Sequence, residues 1–271
     1  MNGAADPLGA AVLQAAVDEA RGLWGERLLA AYALGSLAHG GFSRLVSDVD
    51  AGFVLQGPLT ESDAARAVEL GKRVTARGLE LADRLSVFWG SRATLEGDMS
   101  IGRFPAIDRT DLLLYGQLLF GRDVRDGLAR PSREELSVQG ARTGLGLLGR
   151  DAYKQALANP ASLLRGDPKP LTKTVLFPVR FLYTLRTGEI GRNHDAVADF
   201  TARESGPAAD LAAAALRWRD EPPRPDDAAA AAVLNAGLAP IFRLFASEHA
   251  ERMAEYGYVD LAADLRQALP S

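Results

Sequence analysis

Two acidic residues, Asp48 and Asp50, are separated by a single residue in the segment Ser47–Leu55. Alternate side chains of an extended strand lie on one face, so both carboxylates would point to one side, with Val49 and Ala51 on the other. Carboxylates this close repel each other unless a cation lies between them, and hard oxygen ligands suit Mg²⁺ or Mn²⁺. The pair therefore predicts a divalent metal site. The alternative is a solvated strand end or turn, where aspartates are also common.

A glycine and a serine, Gly35 and Ser36, follow the apolar run Leu28–Leu34 upstream of this pair. A strand, a glycine turn and a second strand fit the order, and adjacent strands would bring the turn next to the carboxylates. Gly35 allows close backbone approach, successive N–H groups can bind an anion, and Ser36 adds a hydroxyl. The turn predicts a phosphate-binding site, and together with a metal it predicts a bound nucleoside triphosphate. A plain tight turn is the alternative, and Arg44 in the intervening loop either contacts phosphate or is exposed.

These residues resemble the signature of the nucleotidyltransferase superfamily related to DNA polymerase beta: Gly-Ser or Gly-Gly, a loop, then Asp-x-Asp or Asp-x-Glu between apolar residues. Leu34–Ser36 and Asp48–Ala51 match it. The family also carries a third carboxylate on a later strand. Asp83 is the candidate, because it opens the strand-like run that ends at Trp89, and Glu80 lies close to it. The resemblance implies that Asp83 ligates metal and acts as general base on an acceptor hydroxyl.

A second segment, Val179–Ile190, resembles the C-terminal helical domain of aminoglycoside adenylyltransferases that act on streptomycin and spectinomycin, and Ala196–Phe200 continues the likeness. The two regions span most of the chain in the family's order. The resemblance implies ATP or another nucleoside triphosphate as donor, together with two Mg²⁺ ions. It also implies a lysine after the second segment, where this chain has Arg192–His194 instead. Arg192 and His194 are both candidates for the replacement.

A helical face in the second half would carry Lys173, Phe177 and Arg180, which are spaced at four and three residues. Such charges commonly form a solvated basic stripe. The family likeness around Arg180 implies instead that this face leans over the triphosphate, where the planar guanidinium suits phosphate oxygens. The three histidines, which are His39, His194 and His249, lack metal-ligand spacing and are expected to be structural or exposed.

Composition narrows the class of protein. The 271 residues are 47% hydrophobic and 24% charged, which is ordinary for a globular chain. A net charge of −4 argues against broad nonspecific binding to nucleic acid or anionic membrane. Because cysteine is absent, disulfides, thiolate zinc sites and a cysteine nucleophile are excluded. We see no leader pattern and no apolar run of membrane-spanning length, so we expect a soluble, cytoplasmic protein without a membrane partner.

The predicted organisation is an N-terminal mixed-sheet α/β nucleotidyltransferase domain, residues 1–158, followed by a C-terminal helical bundle, residues 159–271. The boundary is placed in the Pro-, Gly- and Asp-rich stretch Asn159–Pro170. Thr110–Val124 resembles a segment common in these transferases, and its periodicity fits either a helix or a strand. The helices expected from periodicity are Pro7–Glu26, Leu59–Gly78, Leu171–Thr187, His194–Arg203, Ala208–Arg219, and Asp226–Gly257 with a break near Gly237–Pro240.

The expected function is metal-dependent transfer of a nucleoside monophosphate, AMP in the family, onto a hydroxyl of a small molecule. An aminoglycoside acceptor would imply antibiotic resistance, but the segment Leu163–Lys169 offers Asp167 without the family's aromatic residue. Another small hydroxylated molecule, a protein side chain or a tRNA end stay open as acceptors. Two alternatives remain: a catalytically inactive nucleotide-binding regulator, and a toxin- or antitoxin-type transferase acting on RNA or protein. Nucleotide preference and oligomeric state are left open.

Overall fold

The computed structural model describes residues 6–268. The chain divides into two compact units, Met1–Pro131 and Ser132–Ser271. The first unit contains a sheet with helices, and the second is helical. This architecture confirms the predicted fold class, a mixed-sheet α/β domain followed by a helical region.

The first unit alternates short helices with four strands. Its elements in chain order are α1 (Pro7–Trp24), a 3-10 turn (Gly25–Arg27), β1 (Leu28–Leu34), α2 (Gly35–His39), β2 (Val49–Leu55), α3 (Glu61–Ala76), a 3-10 turn (Ala82–Arg84), β3 (Leu85–Ser91), α4 (Arg92–Glu96), α5 (Ala106–Tyr115) and β4 (Gln117–Gly121).

The four strands form one mixed sheet in the order β3-β2-β1-β4. β1 is antiparallel to both β2 and β4, whereas β2 and β3 are parallel. The ambiguous segment Thr110–Val124 is therefore both structures: α5 ends at Tyr115 and β4 begins two residues later. Gly116 separates them.

Both faces of the sheet are covered by apolar side chains, as expected for strands that alternate between two packed layers. On one face, Val49, Ala51 and Phe53 of β2 join a core with α1 and α3. On the other face, Tyr32 and Leu34 of β1 join a smaller core with residues of β2, β3 and α5. Packing on both faces thus fixes the positions of β1 and β2.

The second unit consists of helices. Its elements are α6 (Arg133–Leu148), α7 (Asp151–Ala158), a 3-10 segment (Pro160–Arg165), α8 (Pro168–Thr187), α9 (Asn193–Arg203), α10 (Pro207–Arg217), α11 (Ala228–Glu255) and α12 (Val259–Gln267). One apolar core spans this unit.

The division between the units falls earlier than the predicted boundary at residue 158. Val138 and Ala141 of α6 and Ala156 of α7 belong to the apolar core of the second unit. The Pro- and Gly-rich stretch that suggested the boundary forms the 3-10 segment and the start of α8 within that unit. Turn-forming residues mark element ends equally well inside a domain, which is why composition misplaced the division.

The predicted break near Gly237–Pro240 is wrong, because α11 runs uninterrupted from Ala228 to Glu255. Gly237 is where this helix lies closest to α10: a β-carbon there would be 2.6 Å from Leu211 Cβ. Pro240 removes one backbone donor, yet Leu238 and Ile241 beside it are fully buried. Burial of this apolar helix outweighs the local cost of the proline.

α11 is also the one helix of residues 6–268 that is long and apolar enough to cross a membrane, judged by length and composition alone. Its most apolar window has a mean hydropathy of 1.6 and is 39% buried. Leu234, Phe242 and Phe245 of this helix lie in the core of the second unit. The core helix of a soluble protein passes the same test, so the observation is weak evidence for a membrane.

Candidate active site

Gly35 lies directly beside the carboxylate of Asp50. The last residue of β1, Leu34, pairs with Asp50 of β2, so the turn that follows β1 starts next to this acidic residue. Gly35 has a φ of +60°, and a β-carbon at this position would collide with Asp50 Oδ2. Only glycine satisfies both the left-handed backbone and the close approach. The structure thus brings the predicted glycine turn and one predicted carboxylate together.

The two aspartates are half-buried at the start of β2. Asp48 immediately precedes the strand, which begins at Val49, and Asp50 is its second residue. Val49 and Ala51 are 0% and 1% exposed and pack into the core with α1 and α3. The alternation that the sequence predicted for the strand residues is therefore present, with Asp50 on the opposite face from Val49 and Ala51.

Asp83 occupies a different position from the one expected. It lies exposed in the 3-10 turn Ala82–Arg84, and β3 begins only at Leu85. In the parallel register, the residue of β3 that pairs with Asp50 is Ser86. Paired residues share a face of the sheet, so a hydroxyl rather than a carboxylate stands beside Asp50. The apolar run had suggested a strand that starts at Asp83, whereas the first turn of this segment is helical.

Arg44, the candidate from the glycine loop, forms an ion pair instead. Its Nε lies 2.6 Å from Asp6 Oδ2, and its side chain is 54% exposed. Asp6 also caps α1 by accepting a hydrogen bond from Leu8 N at 3.0 Å. The guanidinium therefore ties the loop to the residue that caps the first helix, and a phosphate contact of Arg44 stays a prediction.

Asp111 was not selected from the sequence, yet it touches the glycine turn. Its Oδ2 accepts a hydrogen bond from Gly35 N at 2.6 Å, and the residue is 7% exposed. Asp111 belongs to the segment Thr110–Val124 that resembled other transferases, but that pattern did not distinguish a carboxylate with a role from one on a surface. One signal was present in the sequence: Asp111 directly precedes the apolar stretch Leu112–Leu114.

The donor set suits a magnesium ion that is shared with phosphate. Among the described residues, no three His, Asp or Glu side chains form a group that could hold a metal ion by themselves. Mg²⁺ is commonly held by one or two carboxylates together with substrate phosphates, rather than by an all-protein cage. Asp48 and Asp50 supply two carboxylates beside the glycine turn, which is a donor set of that kind.

The cationic residues predicted to contact phosphate lie on α8 of the second unit. Lys173 Nζ is 5.6 Å from the centre of the Phe177 ring, and Arg180 is half-buried. Arg219 of the same unit follows α10. Arg219 is 7% exposed, and burial lowers its pKa. The negative charge of Asp220 raises this pKa, and the positive charge of Arg180 lowers it further. Two guanidinium groups thus influence each other in this unit.

The chain matches the crystal structure of spectinomycin adenyltransferase AAD(9) from Enterococcus faecialis, which was determined with ATP and spectinomycin. The match covers 83% of this chain and 97% of that one, with a TM-score of 0.57 and 14% sequence identity. The chain has an adenylyltransferase-like fold. No protein-family model matches the sequence, and no curated protein matches it significantly.

In the second unit, Asp167 and Arg192, which were candidates for substrate contacts, form hydrogen bonds close by in the sequence. Asp167 caps α8, its Oδ1 accepting a hydrogen bond from Lys169 N at 2.7 Å. Arg192 precedes α9 and its Nε donates to Asp195 Oδ2 at 2.9 Å, while His194 is exposed. The choice between Arg192 and His194 as replacement for the family's lysine stays a prediction.

Proposed function

We propose that this chain is a nucleotidyltransferase that binds a nucleoside triphosphate with Mg²⁺ and transfers the nucleoside monophosphate to a hydroxyl group. The observation that carries the proposal is the contact between Gly35 and Asp50. A glycine turn with a positive φ lies against a carboxylate at the end of two paired strands. The adenylyltransferase-like fold supports the same activity, and ATP is the donor that we favour.

Asp48 and Asp50 are the residues that would hold the metal, and the backbone near Gly35 together with the Ser36 hydroxyl would hold phosphate. Bound Mg²⁺ would supply charge neutralisation at the phosphates, which lowers the barrier to attack on phosphorus. The two carboxylates repel each other without a cation, so metal and nucleotide are expected to bind together. The number of ions, two in the family resemblance, stays a prediction.

The reaction forms one phosphorus–oxygen bond and breaks another. The acceptor oxygen forms a bond to the α-phosphorus, the bond between the α-phosphorus and the bridging oxygen to the β-phosphorus breaks, and pyrophosphate leaves. The acceptor proton must pass to a base or to water. Asp83 was predicted to be that base, and its role stays a prediction although it is exposed and lies before β3. Lys173 and Arg180 are proposed phosphate contacts on the strength of the family resemblance.

For the acceptor we propose a small hydroxylated molecule. The solved adenyltransferase of similar fold was crystallised with spectinomycin, which supports a small-molecule acceptor but no particular one. An aminoglycoside is polycationic and needs carboxylates, and Asp167 is engaged as a helix cap. Modification of an antibiotic is therefore one example of the transfer to small hydroxylated molecules that we propose. A cytoplasmic location stays a prediction.

A nucleotide-binding regulator without transferase activity is the second candidate. The observation that favours it is the pairing of Ser86 with Asp50, since a serine stands where a carboxylate could have ligated metal or accepted the acceptor proton. Such a protein would keep the phosphate turn and the two aspartates and would bind nucleotide without turnover.

Two measurements separate the candidates. Calorimetric titration with ATP, with and without Mg²⁺, reports binding, and a pyrophosphate assay with a panel of hydroxylated acceptors reports transfer. Binding with pyrophosphate release supports the transferase, whereas binding without release for any acceptor supports the regulator. No binding in either condition contradicts both.

A lysate experiment addresses the acceptor class. The purified chain is incubated with a cell lysate and ATP labelled at the α-phosphate. A new labelled small molecule, distinct from ATP, ADP and AMP and absent when the chain is left out, supports our proposal. Label on protein or RNA would instead point to the toxin- or antitoxin-type transferase.

A further inference from the structure

The short helix α2 depends on contacts from elsewhere in the first unit. It has only five residues, Gly35–His39, and the residue before it, Leu34, provides no side-chain cap. Helices this short are marginal in water when isolated, because nucleation fixes several residues for few hydrogen bonds. Whatever holds α2 therefore also determines where Gly35 and Ser36 lie relative to Asp50.

The segment from Asp111 to Gln117 supplies those contacts at both ends of α2. At the start, Asp111 Oδ2 accepts the hydrogen bond from Gly35 N at 2.6 Å. At the end, Gln117 Nε2 donates to the carbonyl oxygen of Ala38 at 2.7 Å.

His39, the last residue of α2, touches the same segment. The Tyr115 ring packs edge-on against the His39 ring, with 5.5 Å between centres. Asp111 Oδ1 also lies 3.7 Å from His39 Nε2. Residues 111–117, at the junction of α5 and β4, thus contact both ends of the helix that begins at Gly35.

Burying the Asp111 carboxylate costs more free energy than a neutral hydrogen-bond acceptor would at the same place. The residue is 7% exposed, and a buried carboxylate loses hydration that hydrogen bonds must replace. It also adds negative charge beside Asp50, which already lies against Gly35. A neutral acceptor could hold the Gly35 N–H without this repulsion. The charge therefore has a consequence for any ligand of the turn: a free triphosphate is repelled, and a metal-bound one less so.

We propose that Asp111 is a positioning residue for nucleotide binding, which fixes the Gly35–Ser36 turn against Asp50 and makes nucleotide binding depend on a divalent cation. The proposal rests on the proposed function, since it assumes that nucleotide binds at this turn. Asp111 occupies the Gly35 N–H, so phosphate contacts at the turn fall to Ser36 and to the metal held by Asp48 and Asp50.

The experiment compares Asp111→Asn with Asp111→Ala. Asparagine keeps an oxygen that can accept from Gly35 N and removes the charge, whereas alanine removes both. Asp98→Ala is the control, because Asp98 is an exposed carboxylate of the same unit that accepts a hydrogen bond from Ser100 N within its own loop. Each variant is titrated calorimetrically with ATP in the presence and absence of Mg²⁺, and its melting temperature is recorded.

We expect Asp111→Ala to weaken binding of ATP with Mg²⁺ by about tenfold or more, because the hydrogen bond that the buried carboxylate accepts from Gly35 N is lost. Asp111→Asn should stay within about threefold of the wild type with Mg²⁺ and bind ATP better than the wild type without it. Rescue by asparagine and the altered cation dependence are effects that a general loss of stability would not produce.

Hydrogen exchange in the nucleotide-free protein gives a second readout. Backbone amides of residues 35–39 should exchange faster in Asp111→Ala than in the wild type, and Asp111→Asn should preserve their protection. This result does not require nucleotide to bind.

The outcomes are distinguishable. If the wild type binds ATP and Asp111→Ala binds it equally well, the positioning role is overturned and the proposed function stands. If Asp111→Asn shows the wild-type response to Mg²⁺, the inference about cation dependence is overturned. If the wild type does not bind ATP under either condition, the proposed function fails and this inference fails with it.

Discussion

Gly35, the residue directly after β1, is in contact with Asp50 of the neighbouring antiparallel strand β2, at a point where no side chain larger than that of glycine fits. The relationship joins the two parts of the sequence that suggested a nucleotide site. It also shows how the site is built: β1 ends, the chain turns with a positive φ, and the carboxylate of the adjacent strand fills the space that a β-carbon would take.

The first prediction concerns this contact. Gly35→Ala should weaken binding of ATP with Mg²⁺ by about tenfold or more, because the new methyl group overlaps the Asp50 carboxylate and must displace it. Gly57→Ala is the matched control, because Gly57 also has a positive φ, +78°, but has open space around its α-carbon. Both variants carry a backbone cost of about 1–2 kcal/mol in urea unfolding. Equal ATP affinities in the two variants would show that the contact has no part in binding.

The second prediction concerns the third carboxylate. Asp83→Asn should change pyrophosphate release by less than about threefold, because Asp83 is exposed and lies outside β3, where Ser86 is the residue paired with Asp50. Ser86→Glu places a carboxylate beside Asp50 and should raise the rate if the chain lacks an efficient base. The assay is pyrophosphate release at saturating ATP. A loss of about 100-fold or more in Asp83→Asn would assign the base to Asp83 despite its position.

The third prediction concerns pH and His249. This fully buried histidine donates from Nδ1 to the carbonyl oxygen of Phe245 at 2.9 Å, and its Nε2 has no hydrogen-bond partner in the described structure. Burial lowers the pKa of His249 to about 4. Between pH 6.5 and pH 4 the unfolded chain therefore binds a proton at His249 that the folded state does not bind. The free energy of unfolding is highest above pH 6.5 and declines as the pH falls toward 4.

The measurement is the free energy of unfolding in urea between pH 7 and pH 4. Over this range the wild type should lose on the order of 3 kcal/mol more than His249→Asn, which keeps a donor near Nδ1 but does not titrate. Identical pH profiles for the two proteins would contradict the assignment of a neutral, buried imidazole.

The fourth prediction concerns a buried ion cluster in the second unit. The side chain of Arg186 is 11% exposed; it pairs with Glu248 and lies 2.7 Å from Glu204 Oε1. Arg186→Met should lower the free energy of unfolding by about 3 kcal/mol or more, because it leaves these carboxylates facing each other in a partly desolvated place.

Arg203→Met is the control for this cluster. Arg203 pairs with Asp199 at 2.9 Å, but its side chain is 54% exposed, so the expected loss is below about 1 kcal/mol. Urea unfolding of both variants checks the comparison. Similar losses would mean that burial does not control the strength of these pairs.

Much of the fold followed from periodicity. The first helix, β1 and the capped α3 were predicted within a few residues, because their apolar spacing and turn residues agree. The strand that starts near Asp83 and the break at Gly237 were misjudged for related reasons. Local sequence did not reveal that the first residues of an apolar run form a 3-10 turn, nor that a glycine in a helix serves close packing.

The site was only partly predictable from the sequence. The adjacency of Gly35 and Asp50 follows from strand order, and the sequence contains that order. The positions of Ser86 and Asp111 follow from register and from the packing of α5, which depend on contacts between distant residues. Sequence spacing carries no information about such contacts, so a carboxylate 76 residues from Gly35 could not be connected to it.

The most direct test of the account is a calorimetric titration of ATP, with and without Mg²⁺, into wild type, Asp50→Asn and Asp48→Asn, with Asp98→Asn as control. We predict that the wild type and the control bind ATP only with Mg²⁺. Both site variants should lose this binding by about 100-fold or more while their melting temperatures stay level or rise, because charge repulsion is relieved. Wild-type affinity for ATP with Mg²⁺ in both site variants would contradict a metal–nucleotide site at these aspartates.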